Sequence, residues 1–260
     1  MPPTPAISYL PWERYTGSVR DDTDRLLEVA APALHAPVPS CPGWVVEDLV
    51  RHLAAVYLHK VECIRRAAAP EPWPPAGHAA REPIGLLEEA RDTLLAELTA
   101  RDPYEERFTW WDPDQTNGFW FRRMALEVAV HRVDGELARV DELGPDVVTP
   151  IADDIALDGI DEILRIFLGG PWWDGDFHTA HPIDAAVRVT AEGRSWTVAA
   201  TATAVVVTEE TDSGVQAEIA GTPNDVYLWL WGRGPLEALS VTGDEHLPTE
   251  LRARLVEDDD

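Results

Sequence analysis

Apolar residues recur with the period of an α-helix through the first two thirds of the chain. Leu49, Leu53 and Val56, for example, lie three or four positions apart, which is the spacing of one buried helix face. Short loops rich in proline, such as PEPWPPAG at residues 70–77, interrupt the pattern. The pattern predicts helices over residues 8–34, 44–68, 83–100, 119–139 and 151–170.

The pattern changes after GGPWWDGD, which occupies residues 169–176. The segments AAVRVTAEG, SWTVAATAT, AVVVTEE and GVQAEIAG alternate or are rich in β-branched residues, and Gly, Asp and Ser separate them. Such segments predict β-strands. A helix is predicted over residues 222–234, because Thr222 is a suitable N-cap and Pro223 suits the first turn. LSVTGD predicts a last strand and PTELRARLVE a last helix.

These elements predict a fold of the α + α/β class. We expect a helical bundle over residues 1–172 and a small α/β domain over residues 173–260.

The net charge of −26 excludes the function classes that need a cationic surface. Nucleic acids and anionic membranes attract basic proteins, so neither is expected as a partner. Arginine supplies almost all of the positive charge, and Lys60 is the only lysine. This composition is typical of a high-GC genome such as that of an actinobacterium.

Cysteine usage and the N-terminus indicate a cytoplasmic protein. Cys41 and Cys63 are the only cysteines and form no CxxC pair, so a thiolate zinc knuckle or a disulfide scaffold is not expected. The N-terminal segment has no basic stretch followed by an apolar one, so it is not predicted to be a secretory signal.

A candidate metal site lies on two of the predicted helices. Glu127 and His131 are four residues apart and share one helix face, while His52 borders the inward face of the second helix. Two imidazoles and a carboxylate are ligands of catalytic zinc and also of non-haem Fe(II). The ExxxH spacing is common by chance, however, and His59 is an alternative or additional ligand.

Three segments resemble the mycothiol-dependent maleylpyruvate isomerase family, which is part of the DinB-like group of four-helix metal proteins. They are VPSCPGWVVEDLVRHLAAVY (38–57), FWFRRMALEVAVHRVDGELA (119–138) and ALDGIDEILRIFL (156–168). GTPNDVYLWLWGR (221–233) resembles the family's sterol-carrier-like C-terminal domain. One departure is Val45, which stands where relatives carry Thr or Ser after PGW, so a helix N-cap is expected to be lost.

The resemblance implies a metal site formed by His52, Glu127 and His131, a divalent metal such as zinc, and mycothiol as the thiol cosubstrate. The implied activity is the addition of a metal-activated thiol to an electrophile, as in the cis–trans isomerisation of maleylpyruvate. The implied partners are small molecules, and the protein is expected to be a monomer or a homodimer.

Two further residues are candidates for catalytic roles. Arg233 could hold a substrate carboxylate, or it could satisfy carbonyl groups at a helix C-terminus. Asp134, three residues beyond His131, could orient that imidazole or pair with Arg132.

Three alternative functions use the same metal site. The first is a mycothiol S-transferase that acts on a xenobiotic or an antibiotic intermediate. The second is a metal-dependent hydrolase, in which water replaces the thiol. The third is a metal-binding protein without catalytic activity.

Overall fold

The computed structural model describes residues 8–74, 77, 80–170, 183–209 and 214–256. Its contacts divide the chain into two compact units, Met1–Thr149 and Pro150–Asp260. No helix within these described ranges is long and apolar enough to cross a bilayer.

The first unit is a bundle of four long helices, as predicted from the periodicity. Helix α4 packs against α1 and α2, and α3 packs against α2. The four are α1 (Trp12–Ala30), α2 (Val46–Arg66), α3 (Pro83–Thr99) and α4 (Asn117–Leu137), and the short α5 (Val140–Leu143) follows.

Helix α2 begins at Val46 although Val45 cannot act as a side-chain N-cap. The Asp48 carboxylate accepts a hydrogen bond from the Val45 N–H at 2.9 Å. The first two helical N–H groups donate to the carbonyl oxygens of Ala36 and Leu34, at 2.9 and 2.8 Å. The preceding loop therefore satisfies the donors that a Thr or Ser side chain would otherwise have to cap.

Gly135 lets α1 and α4 approach closely near the C-terminal end of α4. A Cβ atom at this position would lie 2.4 Å from Cδ1 of Leu26. Any larger residue would force the Leu26 side chain or α1 itself to shift.

The second unit has a mixed five-stranded sheet in the order β3-β2-β1-β4-β5. Strands β1 and β4 are parallel, and the other neighbouring pairs are antiparallel. Helix α8 packs on β1 and β4. In chain order the elements are α6 (Asp153–Glu162), its π-helical continuation (Ile163–Leu168), β1 (Ala185–Ala191), β2 (Arg194–Ala200), β3 (Val205–Thr208), β4 (Ala217–Gly221), α7 (Pro223–Leu230), β5 (Ser240–Gly243) and α8 (Leu247–Val256).

The division between the units differs from the boundary expected after residue 172. Helix α6 packs against α7 and therefore belongs with the sheet. The contact is close at Gly159, where a Cβ atom would lie 2.3 Å from the Tyr227 ring. The apolar face of α6 predicted a packed helix but could not show which unit it packs in.

Candidate metal centre

His52, Glu127 and His131 converge on one point of the helical unit. His52 projects from α2, and the other two project from α4. One potential ligand atom from each lies within 4.8 Å of the other two. The structure thus brings together the three ligands expected from the sequence.

Both imidazoles face the same carboxylate oxygen. His52 Nε2 lies 3.4 Å and His131 Nε2 3.3 Å from Oε1 of Glu127. The imidazole centroids are 5.0 Å apart, and the rings are inclined by 76°.

Two of the three donor–donor distances fit a tetrahedral metal ion. Donor atoms about 2.0–2.1 Å from zinc lie roughly 3.3–3.5 Å from each other in a tetrahedral site. The two nitrogen–oxygen distances of 3.4 and 3.3 Å have this value. Three protein ligands would leave a fourth position for an exogenous molecule.

The other oxygen of Glu127 is held by Arg123. Arg123 Nη2 donates to Glu127 Oε2, one helical turn away on α4. Burial favours the neutral acid, but the charge of Arg123 and hydrogen bonds from His131 and His52 outweigh it and keep the pKa of Glu127 well below its usual value. The carboxylate is therefore ionised, with one oxygen anchored and the other facing the imidazoles.

His131 is oriented by a buried carboxylate. Its Nδ1 lies 2.9 Å from Oδ2 of Asp134, whose side chain is fully buried. Ser40 Oγ donates to the other oxygen of Asp134 at 2.5 Å, and Cys41 Sγ lies 3.8 Å from Oδ2. With the Nδ1–H of His131 directed at Asp134, Nε2 is the ring nitrogen that faces the site.

The charge around His131 also stabilises its protonated form. Burial lowers the pKa of His131, but hydrogen bonds to Asp134 and Glu127 outweigh burial and raise the pKa to about 9. A metal ion must therefore displace a proton from His131 at neutral pH.

The site is open on the His52 side. The His52 side chain is 37% exposed, whereas those of Glu127 and His131 are 11% and 12% exposed. The Trp44 ring packs against His52 with 5.1 Å between centroids. His52 is therefore the most exposed of the three side chains.

Two family models match the chain. The model of the mycothiol maleylpyruvate isomerase N-terminal domain matches residues 17–135, and that of the MDMPI C-terminal domain matches residues 154–250. The chain belongs to the mycothiol-dependent maleylpyruvate isomerase family. The two matched ranges fall on either side of the division after Thr149.

Solved structures of a mycothiol-dependent maleylpyruvate isomerase share the fold of this family member. One has 15% sequence identity and a TM-score of 0.60, and the match covers 90% of this chain and 95% of that one. The structure of a mutant of such an enzyme, with one histidine replaced by alanine, has 14% identity, a TM-score of 0.59 and the same coverage. No curated protein matches the chain significantly.

The other residues singled out from the sequence have different surroundings. His59 is not part of the convergent set; its Nδ1 lies 3.2 Å from Lys60 Nζ. Arg233 belongs to the second unit, where its Nη1 donates to the Trp231 carbonyl at 2.6 Å. This contact is the one expected if Arg233 satisfies carbonyl groups at a helix C-terminus. Its role as a carboxylate clamp stays a prediction. His78, His178 and His181 lie outside the described residues.

Sequence reasoning missed three residues around the site in this member of the isomerase family. From the sequence, Arg123 could be a substrate clamp, or in preference a solvated or ion-paired residue, although its spacing of four residues from Glu127 could have indicated the contact with that ligand. Ser40 contacts Asp134 across the fold, and no local pattern signals this contact. Trp44 lies just before α2 and packs against His52 of that helix.

Proposed function

We propose that this protein is a mycothiol-dependent metalloenzyme that activates a thiol for addition or transfer to an electrophile, with maleylpyruvate cis–trans isomerisation as the reference reaction. The observation that carries the proposal is the convergence of His52, Glu127 and His131 with ligand-like spacing in a member of this family. The proposed metal is zinc.

A divalent metal in this site would lower the pKa of a bound thiol and hold it as the nucleophilic thiolate. The donor set itself favours an anionic fourth ligand. Two neutral imidazoles and one carboxylate compensate only one of the two positive charges.

Residues around the ligands orient them for metal binding. Arg123 holds Glu127 ionised, and Asp134 accepts a hydrogen bond from the Nδ1–H of His131, so that Nε2 is the nitrogen that would bind metal. Metal binding would release the Nε2 proton of His131 to solvent.

Isomerisation also requires cationic groups for the negative charge that develops on the substrate. We assign this role to Arg233, whose guanidinium can bind a carboxylate through two parallel hydrogen bonds. Arg233→Ala should lower turnover and leave the metal content unchanged.

An S-transferase using the same site is the second candidate. The net charge of −26 repels a dianionic substrate at long range and so favours a neutral electrophile. Product analysis separates the two candidates, because a transferase releases a thiol adduct and an isomerase regenerates the free thiol.

The test is turnover of maleylpyruvate and a panel of neutral electrophiles by metal-loaded protein, with and without mycothiol. We expect activity that requires both thiol and metal and that is lost in His131→Ala. Turnover that does not need a thiol would instead identify a hydrolase. Metal binding without turnover of any compound would identify a non-catalytic protein.

A further inference from the structure

A second cluster of polar and aromatic side chains lies on the same two helices as the metal ligands. His59 follows His52 by seven residues on α2, and Trp120 precedes Glu127 by seven on α4. Seven residues are about two helical turns, so His59 and Trp120 share the helix faces that carry the ligands. Lys60 lies beside His59 and reaches across to α4.

Lys60 is held between His59 and Trp120. Its Nζ lies 3.2 Å from His59 Nδ1 and 5.2 Å from the centroid of the Trp120 ring. His59 packs edge-on against Trp73, with 5.1 Å between centroids. Burial and the neighbouring Lys60 charge lower the pKa of His59, so that its neutral ring accepts a hydrogen bond from Lys60.

The charge of Lys60 has no carboxylate partner within the part of the chain that the structure describes. No Asp or Glu of these residues lies within 4.0 Å of Nζ. Burial is the main cause that lowers the pKa of Lys60, and the positive charge of Arg123 lowers it further, while Cys63 and the Glu127 carboxylate act in the opposite direction. A partly buried ammonium without a carboxylate in direct contact is costly, and this cost lowers its pKa.

The other cations of α2 are paired, which makes Lys60 unusual. Arg51 pairs with Glu47, and Arg66 with Glu62, at 2.8 and 2.6 Å. Arg65 pairs with Glu97 of α3 at 2.7 Å. The chain has 47 acidic residues, so the unpaired state of its only lysine does not follow from a shortage of carboxylates.

The ammonium group of Lys60 has three N–H donors, and His59 and Trp120 lie in the directions of two of them. One N–H points to His59 Nδ1, and the face of Trp120 stabilises the charge on another side. The third donor has no hydrogen-bond partner among the residues that the structure describes.

We propose that Lys60, positioned by His59 and Trp120, binds a carboxylate group of the electrophilic substrate. The carboxylate accepts the third Lys60 N–H and supplies the missing negative charge. The assignment of this anion to the electrophile rests on the proposed function, whereas the anion site itself does not.

The position of Lys60 also limits the size of that substrate. His52 and Lys60 are eight residues apart, a rise of about 12 Å along α2, and a lysine side chain leans back towards the helix N-terminus. The carboxylate bound by Lys60 would therefore lie within about 12 Å, measured along α2, of the metal ligands. A local cation of this kind also opposes the long-range repulsion from the net charge of −26.

Calorimetric titration of metal-loaded protein with maleate, and with its neutral dimethyl ester, tests the anion site directly. We expect wild-type protein to bind maleate more tightly than the ester. Lys60→Met should weaken maleate binding about ten- to a hundred-fold, as loss of a hydrogen bond to a charged group does. Lys60→Arg should retain most of the affinity. Arg66→Met is the matched control, because it removes one positive charge from an exposed pair of the same helix.

The proposal would be overturned if wild type and Lys60→Met bound maleate with equal affinity. It would also be overturned if Arg66→Met lost as much maleate affinity as Lys60→Met, or if wild type did not bind maleate. Circular dichroism checks that Lys60→Met is folded, and Lys60→Gln replaces it if it is not. With thiol present, Lys60→Met should raise the KM of a carboxylate electrophile and leave the KM of the thiol and the metal content unchanged. Absence of thiol-dependent turnover in wild type would overturn the proposed function, while the titration would still report on the anion site.

Discussion

Replacing Asp134 with asparagine tests how the centre is built. The Asp134 carboxylate is fully buried and accepts hydrogen bonds from His131 Nδ1 and Ser40 Oγ. Asparagine has nearly the same shape but no charge, and its amide oxygen can still accept from His131 while Ser40 turns to accept from the amide nitrogen. The substitution therefore removes the charge and keeps the ring orientation.

The expected loss of metal affinity depends on pH. Loss of such a supporting group weakens metal binding by about 10- to 100-fold. Asp134 also stabilises the proton that competes with the metal, since it helps to raise the pKa of His131 to about 9. At pH 7 the weaker proton competition in Asp134→Asn offsets part of the loss. We therefore expect a loss of about ten-fold at pH 7, growing towards a hundred-fold above pH 9.

Competition with a chromophoric chelator measures this affinity at both pH values. Glu136→Gln is the matched control, because Glu136 is a fully buried carboxylate on the same helix that pairs with Arg25 and Arg132 instead. It should destabilise the fold and leave the metal affinity unchanged. Unchanged affinity in Asp134→Asn, or a loss that shrinks as the pH rises, would refute the reasoning.

The remaining predictions concern the other parts of the helical unit. Metal-free protein should lose about 3 kcal/mol of unfolding free energy as the pH rises from 6.5 through about 9, because the pKa of His131 is raised in the folded state and its protonated form stabilises the fold. Urea unfolding in the presence of a chelator, at pH 6 and pH 9.5, measures the loss. Equal unfolding midpoints at the two pH values would contradict it. Arg123→Met should weaken metal binding several-fold, since it frees the anchored oxygen of the carboxylate ligand; chelator competition would contradict this if it gave the wild-type value. Gly135→Ala should destabilise the fold by about 1–3 kcal/mol, because the added Cβ would lie 2.4 Å from Leu26 Cδ1. In contrast, a Cβ at Gly17 meets no atom within 4 Å, so Gly17→Ala should stabilise α1 by about 0.5–1 kcal/mol. Urea unfolding midpoints that move in the same direction for both variants would contradict this prediction.

Periodicity alone located most of the elements in this chain. The helix that carries Glu127 and His131 was predicted over residues 119–139 and runs from Asn117 to Leu137. The spacing of these two residues placed them on one helix face without any tertiary information. Periodicity could not identify the third ligand on α2, because His52 and His59 share a helix face. The family resemblance indicated His52, and packing brings it to Glu127.

Contacts between distant segments account for what the sequence did not show. Ser40 donates to Asp134 across 94 positions of sequence, and no local pattern indicates such a pair. The apolar face of α6 predicted burial, but its packing against α7, which no local pattern shows, assigns this helix to the second unit. Helix amphipathicity predicts that a face is covered and does not identify the element that covers it.

The most direct test of the central claim is the absorption spectrum of cobalt(II)-substituted protein before and after a thiol is added. If cobalt is bound by His52, Glu127 and His131 with one coordination position open, we expect one cobalt per chain. We also expect a new thiolate-to-cobalt charge-transfer band when the thiol binds. His131→Ala should lose stoichiometric cobalt. Full cobalt binding in His131→Ala, or a wild-type spectrum that the thiol leaves unchanged, would contradict the account.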